Sequence, residues 1–202
     1  MAERSIGVFG SAFNPPHLAH QIFLAEAAWQ LGLDSVTVVP TGDPYHKAID
    51  SDPGAEVRFR LAEAAFAGLP GVEVSAIEVR REGPSYTCDT LEEIADPLGK
   101  YETHLLMGAD AAKGFAGWRS PERILELAKI GIALRPGVGR EEVEPVFEAL
   151  GATSRIDFID MPEIGISSSL IRQRIAAKEP FRHLVPTKVA QMIENEDTYG
   201  IE

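Results

Sequence analysis

The chain contains 202 residues, 45% of them hydrophobic, and a lone Cys88, so one compact domain is favoured while an internal disulfide and a cysteine-based zinc site are excluded. The formal charge of −12 opposes a surface built to follow a nucleic-acid backbone. The N-terminal residues lack the apolar run of a signal peptide or membrane helix, so we expect a cytoplasmic protein with no membrane or nucleic-acid partner.

In chain order, short apolar runs predict buried strands at SIGVF (5–9), SVTVV (35–39), VEVSAIEV (72–79), HLLM (104–107), IGIAL (130–134) and IDFI (156–159). Apolar residues at helical spacing separate these strands, at residues 22–31, 57–66, 90–94, 122–127 and 141–150. Trp29 lies on an apolar stripe of the first helix, which indicates a core position. The stretch 166–194 has a wholly helical pattern.

This alternation of strand and helix predicts an α/β fold with a doubly wound, mostly parallel sheet and helices on both faces. The ligand crevice of such a sheet lies at the carboxyl ends of its strands, so functional residues should follow strands. We expect a single domain over residues 1–202, with its core over 1–165 and a helical C-terminal segment over 166–202. The Pro-, Gly- and Asp-rich stretch 41–54 predicts a loop that can move over a site.

The first strand is followed by GSAFNPPHLAH (10–20), whose composition suits a phosphate. Gly10, Ser11 and Ala12 are small enough for the backbone to approach an anion. His17 and His20 fall three residues apart in the first turn of the next helix, beside free N–H groups and the positive end of the helix dipole. The alternatives are a metal pair or two surface histidines.

A second motif, GISSSLIR (165–172), lies near the other end of the chain. Ser167 can cap a helix, with Ser168 and Ser169 in its first turn and Arg172 one turn further on. Hydroxyls, free amides and a guanidinium can then converge on one anion. Taken alone, the pattern is also that of an ordinary capped helix with a solvated arginine.

Together, the two motifs resemble the (T/H)xGH and ISSTxIR signatures of the nucleotidyltransferase superfamily, which implies a Rossmann-like fold. PTGDPYHK (40–47), PSYTCDTL (84–91) and MGADAAKGFAGW (107–118) are similar to segments of bacterial nicotinate mononucleotide adenylyltransferases. The likeness covers residues 7 to about 194. Ala19 departs from the usual glycine of the first signature, and Ala12 replaces a common hydroxyl residue, so phosphate contact there would fall to the backbone.

The resemblance implies transfer of the adenylyl group of ATP to nicotinate mononucleotide, a step of NAD biosynthesis that releases pyrophosphate. Catalysis would rest on His17, His20 and Arg172. The ATP-binding residues would be Gly10, Ser11, Ala12, Phe13, His17, His20, Gly108, Asp110, Ile166, Ser167, Ser168 and Arg172. His46 and Lys47 would contact phosphate. Mg²⁺ would be held mainly by the ATP phosphates rather than by protein side chains.

The same resemblance places the mononucleotide against Tyr86, Thr87, Trp118 and Arg119. Trp118 would stack on the pyridine ring, while Thr87 and backbone amides near Trp118 and Arg119 would bind the ring carboxylate. Trp118 and Tyr86 could instead be packing residues, and Asp110 could cap a helix. The proposed chemistry needs no nucleophilic side chain, so we interpret Cys88 as a packing residue.

Other functions share these motifs. A sister transferase could use nicotinamide mononucleotide or phosphopantetheine as the acceptor of the adenylyl group. A non-catalytic nucleotide-binding module could retain the fold, although the intact His17, His20 and Arg172 argue against it. A fragment of a class I aminoacyl-tRNA synthetase has related motifs, but the chain has no room for a tRNA-binding domain. The sequence leaves a homo-oligomer open.

Overall fold

A computed structural model of the chain describes residues 4–45, 49–94, 101–134 and 137–200. The strands within these residues are β1 (Arg4–Ser11), β2 (Ser35–Pro40), β3 (Asp43–Pro44), β4 (Val72–Val74), β5 (Pro84–Ser85), β6 (Tyr101–Gly108), β7 (Lys129–Ala133) and β8 (Ile156–Ile159). All six strands predicted from apolar runs are present, although their boundaries differ by a few residues.

The described helices are α1 (Leu18–Leu31), α2 (Ala55–Phe66), α3 (Ile77–Arg80), α4 (Thr87–Ile94), α5 (Ala109–Lys113), α6 (Pro121–Leu127), α7 (Arg140–Ala149), α8 (Ser168–Ala176) and α9 (Thr187–Asn195). Short 3₁₀ turns cover Phe115–Gly117, Thr153–Arg155 and Arg182–Leu184. Among the residues that the structure describes, no helix is both long and apolar enough to cross a lipid bilayer.

Six strands form one sheet in the order β4-β2-β1-β6-β7-β8, and β3 pairs with β5 in a separate two-stranded sheet. The pairings β1–β6, β6–β7 and β7–β8 are parallel. The strand order runs outward from β1 in one direction and from β6 in the other. The doubly wound, mostly parallel α/β fold predicted from the sequence is therefore confirmed, with its switch point between β1 and β6.

The chain divides into two compact units, each with its own core. The first consists of Met1–Gly10, Phe23–Thr37 and Tyr86–Glu163, and the second consists of Ser11–Ile22, Val38–Ser85 and Ile164–Glu202. Strand residues such as Leu106, Ile130 and Ile132 fill the first core, and Phe13 and Phe66 fill the second. The single domain over 1–202 remains a prediction.

Two strand glycines allow side chains to approach the sheet of the first unit closely. A Cβ on Gly7 would lie 2.9 Å from Leu33 Cδ1, and one on Gly131 would lie 3.0 Å from Leu31 Cδ1. Any larger residue at either position would push these leucines away from the sheet. The two glycines therefore allow Leu31 and Leu33 to pack directly against the backbone of β1 and β7.

The predicted strand over 72–79 is wrong in its second half, because β4 ends at Val74 and α3 begins at Ile77. The backbone N–H of Ser75 donates to Val38 O at 2.8 Å, which is the last strand-like bond. The Ser75 hydroxyl then accepts from the backbone N–H of Ile77 at 3.3 Å. A serine that bonds two residues ahead turns the chain, and the apolar residues beyond it enter a helix.

The core position predicted for Trp29 is wrong, since its side chain is 80% exposed. Helix α1 is apolar on nearly every side, and the face that it buries carries Phe23, Leu24 and Ala27. Trp29 follows Ala27 by two residues, which places it on the opposite side of the helix. An apolar stripe cannot identify the buried face when the whole helix is apolar.

The wholly helical pattern predicted for 166–194 is also interrupted. Helix α8 begins at Ser168 and ends at Ala176, and α9 begins at Thr187. Lys178 adopts a left-handed backbone (φ 55°), and two prolines, Pro180 and Pro186, follow it. Because proline lacks a donor N–H, neither can continue a helix from the residues before it.

Candidate active site

Apart from Gly10, the two predicted phosphate-binding motifs lie in the second unit, and hydrogen bonds join them directly. Ser168 Oγ donates to Pro15 O at 2.8 Å, and Arg172 Nη1 donates to Asn14 O at 2.8 Å. These pairs are separated by 153 and 158 residues in sequence. The arginine-bearing helix α8 is thus bonded to the segment that leads into the histidines.

The capping pattern read from the sequence is present at the start of α8. Ser167 is the N-cap residue, and its hydroxyl accepts from the backbone N–H of Leu170 at 3.1 Å. Ser168 occupies the first turn, and Ile166 lies half-buried just before the cap. The Ser167 hydroxyl accepts in this cap, so toward a ligand it can act only through its own proton, beside the first-turn amides.

His17 and His20 form a stacked pair where α1 begins. Their ring centroids are 3.7 Å apart with 14° between the ring planes. The backbone N–H of His17 donates to His20 Nδ1 at 3.1 Å, and the backbone N–H of His20 donates to His17 O at 3.0 Å. His17 directly precedes the helix rather than occupying its first turn. The two rings are therefore fixed as one unit.

Burial keeps both imidazoles uncharged at neutral pH. It lowers the pKa of His17 to about 4. The pKa of His20 lies well below its usual value, first because of burial and then because of the neighbouring His17 charge. Since His20 Nδ1 accepts a hydrogen bond, the neutral ring carries its proton on Nε2, where it can donate. His17 Nδ1 is buried and lacks a hydrogen-bond partner among the described residues.

The loop between β1 and α1 exposes little of its side chains. Phe13 has a left-handed backbone (φ 51°), and its ring lies 5.4 Å from Phe66 and 5.1 Å from His20. Only 1% of Phe13 is exposed, so its side chain belongs to the core and a ligand could meet only its backbone. Ser11 O accepts from the backbone N–H of Thr41 at 3.0 Å, and Ala12 offers only a methyl group.

Sequence reasoning missed Asn14, which connects three parts of the second unit. Its Nδ2 donates to Asp50 O at 2.8 Å, and its Oδ1 accepts from Tyr199 Oη at 2.7 Å. Its carbonyl accepts from Arg172, and only 2% of the residue is exposed. An asparagine before two prolines has the composition of an ordinary turn, so no sequence signal pointed to this role.

Sequence reasoning also missed Arg58, a fully buried arginine on α2. Its guanidinium bonds to Asp52 and to three backbone carbonyls of the second unit. A signal was present in this case. Arg58 falls at helical spacing with the buried Leu61, Ala62 and Ala65, so the periodicity of α2 places it on the buried face.

Three of the predicted ATP-binding residues lie in the first unit. Gly10 is the penultimate residue of β1 and Gly108 ends β6, and both are exposed. A Cβ on Gly108 would meet no atom within 4 Å. Asp110 is exposed in the first turn of α5, whose N-cap is Gly108. The alternative in which Asp110 caps that helix is therefore wrong.

The predicted mononucleotide residues also lie in the first unit, and two of them are in contact. The Arg119 guanidinium lies over the Tyr86 ring, 4.2 Å from its centroid, and Arg119 Nη1 is 3.8 Å from Asp89 Oδ2. Thr87 is the first residue of α4. Arg119, which directly follows Trp118, therefore contacts the PSYTCDTL segment.

Trp118 is half-buried at the end of the 3₁₀ turn Phe115–Gly117. Its indole lies 5.5 Å from the Phe115 ring, which stacks on Phe147 at 5.0 Å. The backbone N–H of Trp118 donates to Phe115 O at 3.0 Å. That amide is engaged within the turn, which argues against it as a donor to a ring carboxylate.

Three further predictions concern Cys88, the loop cations and a metal. Cys88 is buried, its thiol donates to Asp89 Oδ1 at 3.3 Å, and burial raises its pKa, which agrees with a packing role.

His46 and Lys47 lie outside the described residues. Within the described ranges, no group of three or more His, Cys, Asp or Glu side chains is arranged to hold a metal ion.

The chain resembles proteins of one enzyme family. The family model described as cytidylyltransferase-like matches residues 8–174. A "probable nicotinate-nucleotide adenylyltransferase" of Carboxydothermus hydrogenoformans is 39% identical over 201 residues, covering 98% of this chain and 100% of the relative. A protein of the same description from Albidiferax ferrireducens is 38% identical over 200 residues, covering 97% and 98%.

A solved structure shares the fold at low sequence identity. The Plasmodium falciparum nicotinic acid mononucleotide adenylyltransferase complexed with NaAD superposes with a TM-score of 0.80 at 16% identity, covering 98% of each chain. At this identity the likeness supports the fold alone.

Proposed function

The chain belongs to the cytidylyltransferase-like family and, within it, to the nicotinate-nucleotide adenylyltransferases, and we propose that it transfers the adenylyl group of ATP to nicotinate mononucleotide. The products are nicotinate adenine dinucleotide and pyrophosphate. The observation that carries the proposal is the pair of hydrogen bonds from Ser168 and Arg172 to Pro15 O and Asn14 O. These bonds hold the second motif against the segment that carries His17 and His20.

His17, His20 and Arg172 are the residues we assign to the ATP phosphates. The beginnings of α1 and α8 supply backbone N–H groups without intrahelical partners, which attract anions. His20 Nε2–H can donate while the ring is neutral, and a bound phosphate would raise the imidazole pKa and favour the charged form. Gly10, Ser11, Ala12, Phe13, Ile166, Ser167 and Ser168 would contribute through backbone or hydroxyl groups.

The attacking atom is a phosphate oxygen of nicotinate mononucleotide. With a second pKa of about 6, this phosphate is largely dianionic at neutral pH and needs no general base. Its oxygen forms a bond to the α-phosphorus of ATP while the bond from that phosphorus to the bridging oxygen breaks, and pyrophosphate leaves with the electron pair. The protein's part is to align the two anions and to stabilise the charge that develops.

Mg²⁺ fits this arrangement as an ion carried by ATP. The described residues offer no cluster of carboxylates, whereas the triphosphate itself supplies hard oxygen ligands. The ion would offset phosphate charge. Asp110, exposed after β6, is the side chain we assign to a ribose hydroxyl or to positioning the ion, together with the backbone at Gly108.

We assign the mononucleotide to Tyr86, Thr87, Trp118 and Arg119. A half-buried indole presents a flat apolar face to a pyridine ring. Arg119 places a permanent cation over Tyr86, and a nicotinate carboxylate gains from that charge while a neutral nicotinamide does not. Asp89, 3.8 Å from Arg119, offsets part of this charge, so Thr87 and backbone amides remain the donors we assign to the carboxylate.

The remaining parts of the proposal concern the location of the protein and its partners. The substrates are small molecules, and we propose a cytoplasmic enzyme without a nucleic-acid or membrane partner, because the charge of −12 repels polyanions. A homo-oligomer is compatible with everything described.

The deciding experiment supplies the purified protein and Mg-ATP with nicotinate mononucleotide, nicotinamide mononucleotide or phosphopantetheine in separate reactions. Chromatography then identifies the products. We expect nicotinate adenine dinucleotide to form fastest, with equimolar pyrophosphate and no reaction when EDTA removes Mg²⁺. A dominant product from either other acceptor would assign the chain to that sister reaction, and no product with any acceptor would leave only a nucleotide-binding module.

A further inference from the structure

Arg58 is the most completely buried charged group among the described residues, with 0% of its side chain exposed. Its Nε donates to Asp52 Oδ1 at 2.8 Å. Its Nη1 donates to Ala12 O at 3.0 Å and to Thr41 O at 2.6 Å, and its Nη2 donates to Gly42 O at 3.0 Å. A buried guanidinium with one carboxylate and three carbonyls is held in a single orientation.

The partners of Arg58 belong to three separate segments of the second unit. Ala12 lies in the loop between β1 and α1, Thr41 and Gly42 directly follow β2, and Asp52 precedes α2. Asp52 also accepts from the backbone N–H of Gly54 at 2.9 Å, so the residues before α2 are tied to the same carboxylate. One side chain therefore fixes the relative positions of three loops.

The loop at Gly42 has little freedom to adjust on its own. A Cβ at Gly42 would collide with the Glu78 carbonyl, so the backbone here already lies against α3 as closely as it can. The Arg58 bond to Gly42 O thus joins the Ala12 loop to a fixed support and not to a freely moving segment.

This linkage bears on ATP because of the residue at position 12. Ala12 has no hydroxyl, so any contact of this residue with a phosphate must come from its backbone. Arg58 holds that backbone in place through its hydrogen bond to Ala12 O. Without the guanidinium, the loop would have to be ordered when ATP binds, at a cost in conformational entropy.

We infer that Arg58 is a positioning residue for the ATP phosphates: it holds the Ala12 loop ready for the nucleotide without touching the nucleotide itself. The inference rests on the proposed function, since it assigns the loop to phosphate. No lysine could replace it, because a single ammonium cannot reach acceptors on three segments in the planar arrangement that the guanidinium satisfies.

The test compares Arg58→Lys with the matched control Arg60→Lys. Arg60 lies on the same helix and forms an exposed ion pair with Glu196 at 2.8 Å, so its loss should have little effect. For Arg58→Lys we expect the KM for ATP to rise by about tenfold or more and kcat to fall, with the KM for nicotinate mononucleotide changed by less than about twofold. The control should match the wild type.

Calorimetric titration with Mg-ATP alone, without mononucleotide, separates this inference from the proposed function. If the wild type binds Mg-ATP but makes no dinucleotide, the proposed function is wrong. The role of Arg58 is then tested by comparing the Mg-ATP affinity of Arg58→Lys with that of the wild type. Amide hydrogen exchange should show faster exchange at residues 11–14 and 41–42 of this variant, as expected when those loops lose their common anchor.

Asp52→Asn serves as a second, milder variant, since it keeps an oxygen acceptor for Arg58 Nε and removes only the charge. We expect a smaller loss of ATP affinity in the same direction, in a protein that folds. Unchanged ATP affinity in both Arg58→Lys and Asp52→Asn would overturn the inference. So would equal rises in the two KM values, which would mean that Arg58 supports the fold in general and not the ATP loop in particular.

Discussion

At the scale of single residues, the free enzyme holds His17 and His20 as uncharged, stacked rings. Burial opposes the charging of both rings, and for His20 the repulsion from a charged His17 adds to it. A neutral His20 still donates through Nε2, so the pair can meet a phosphate as a hydrogen-bond donor before any proton is taken up. The pair that we assign to the ATP phosphates can therefore donate without acidic conditions.

Replacement of His20 by Ala should lower kcat by at least about a hundredfold while the protein remains folded, because the contact that we propose for His20 acts on the phosphates undergoing transfer. Steady-state kinetics and circular dichroism measure the two effects separately. His20→Gln, which restores a side-chain N–H donor, should recover part of the loss. If His20→Ala turns over at nearly the wild-type rate, the histidine has no catalytic role.

Trp118→Ala should raise the KM for nicotinate mononucleotide by about tenfold and leave the KM for ATP nearly unchanged, because stacking of one aromatic side chain on one base is worth about 1–3 kcal/mol. Steady-state kinetics with each substrate varied in turn measures both constants. Equal changes in both would identify Trp118 as a structural residue packed on Phe115.

Trp29 provides the matched control for this measurement, since its exposed side chain predicts little effect on either constant or on stability. Trp29→Phe also leaves Trp118 as the sole tryptophan of the chain. The fluorescence of that variant should then respond to nicotinate mononucleotide if the indole stacks on the pyridine ring.

At the scale of elements, helix α8 is the part that connects the two motifs. It begins with the Ser167 cap, and Ser168 and Arg172 bond to carbonyls of the segment before α1. Because these acceptors are backbone carbonyls, their positions depend on the chain path and not on particular side chains. The position of α8 therefore depends on the backbone conformation of the loop that contains Asn14 and Pro15.

Ser168→Ala removes the hydrogen bond from this hydroxyl to Pro15 O, and Pro15 is buried. The free energy of unfolding should fall by about 1–2 kcal/mol, since a buried carbonyl loses its partner. Urea denaturation measures the change, and the KM for ATP should rise in parallel. Ser169→Ala is the control, because Ser169 is exposed and lies 3.5 Å from Arg172 Nη2; an equal effect in both variants would contradict the role of the Ser168 bond.

Element prediction from the sequence succeeded where short apolar runs were bounded by turn residues, as at β1, β2, β7 and β8. It failed at α3 and across the interruption after α8, where the outcome depends on single residues. Ser75 ends one strand through its hydroxyl, and Pro180 and Pro186 break a helical pattern that apolar periodicity alone would continue. Such local interactions are too specific for a periodicity to reveal.

At the scale of the whole molecule, the doubly wound sheet brings the ends of β1 and β6 side by side at the switch point. Gly10 and Gly108 leave the sheet there, which is where folds of this kind bind ligands. The topology thus brings residues about a hundred positions apart in sequence to one edge of the sheet.

The stability of the whole fold should fall on acidification. Burial lowers the folded-state pKa of His17 to about 4 and also lowers those of His20 and His104. Between an unfolded pKa of about 6.5 and pH 4, the unfolded chain therefore binds more protons, so the free energy of unfolding decreases as pH falls through this window.

The contribution of His17 is at most about 3.5 kcal/mol, since its pKa falls from 6.5 to about 4 at about 1.4 kcal/mol per pKa unit, and most of it is lost by pH 4. Urea denaturation at several pH values between 7 and 4 measures it. His17→Gln, which cannot titrate, should show a shallower fall than the wild type. Identical pH profiles for the two proteins would show that His17 does not titrate with a lowered pKa.

The sequence by itself determined the class of fold, because alternating apolar periods are local properties of the chain, and its motifs carried the resemblance to the family. Only the tertiary structure decided that Ser168 and Arg172 bond to carbonyls near the histidines, that Arg58 joins three loops, and that Trp29 lies in solvent. These outcomes depend on which surfaces meet after folding. A hydrogen bond to a backbone carbonyl leaves no trace in the identity of the residue that accepts it.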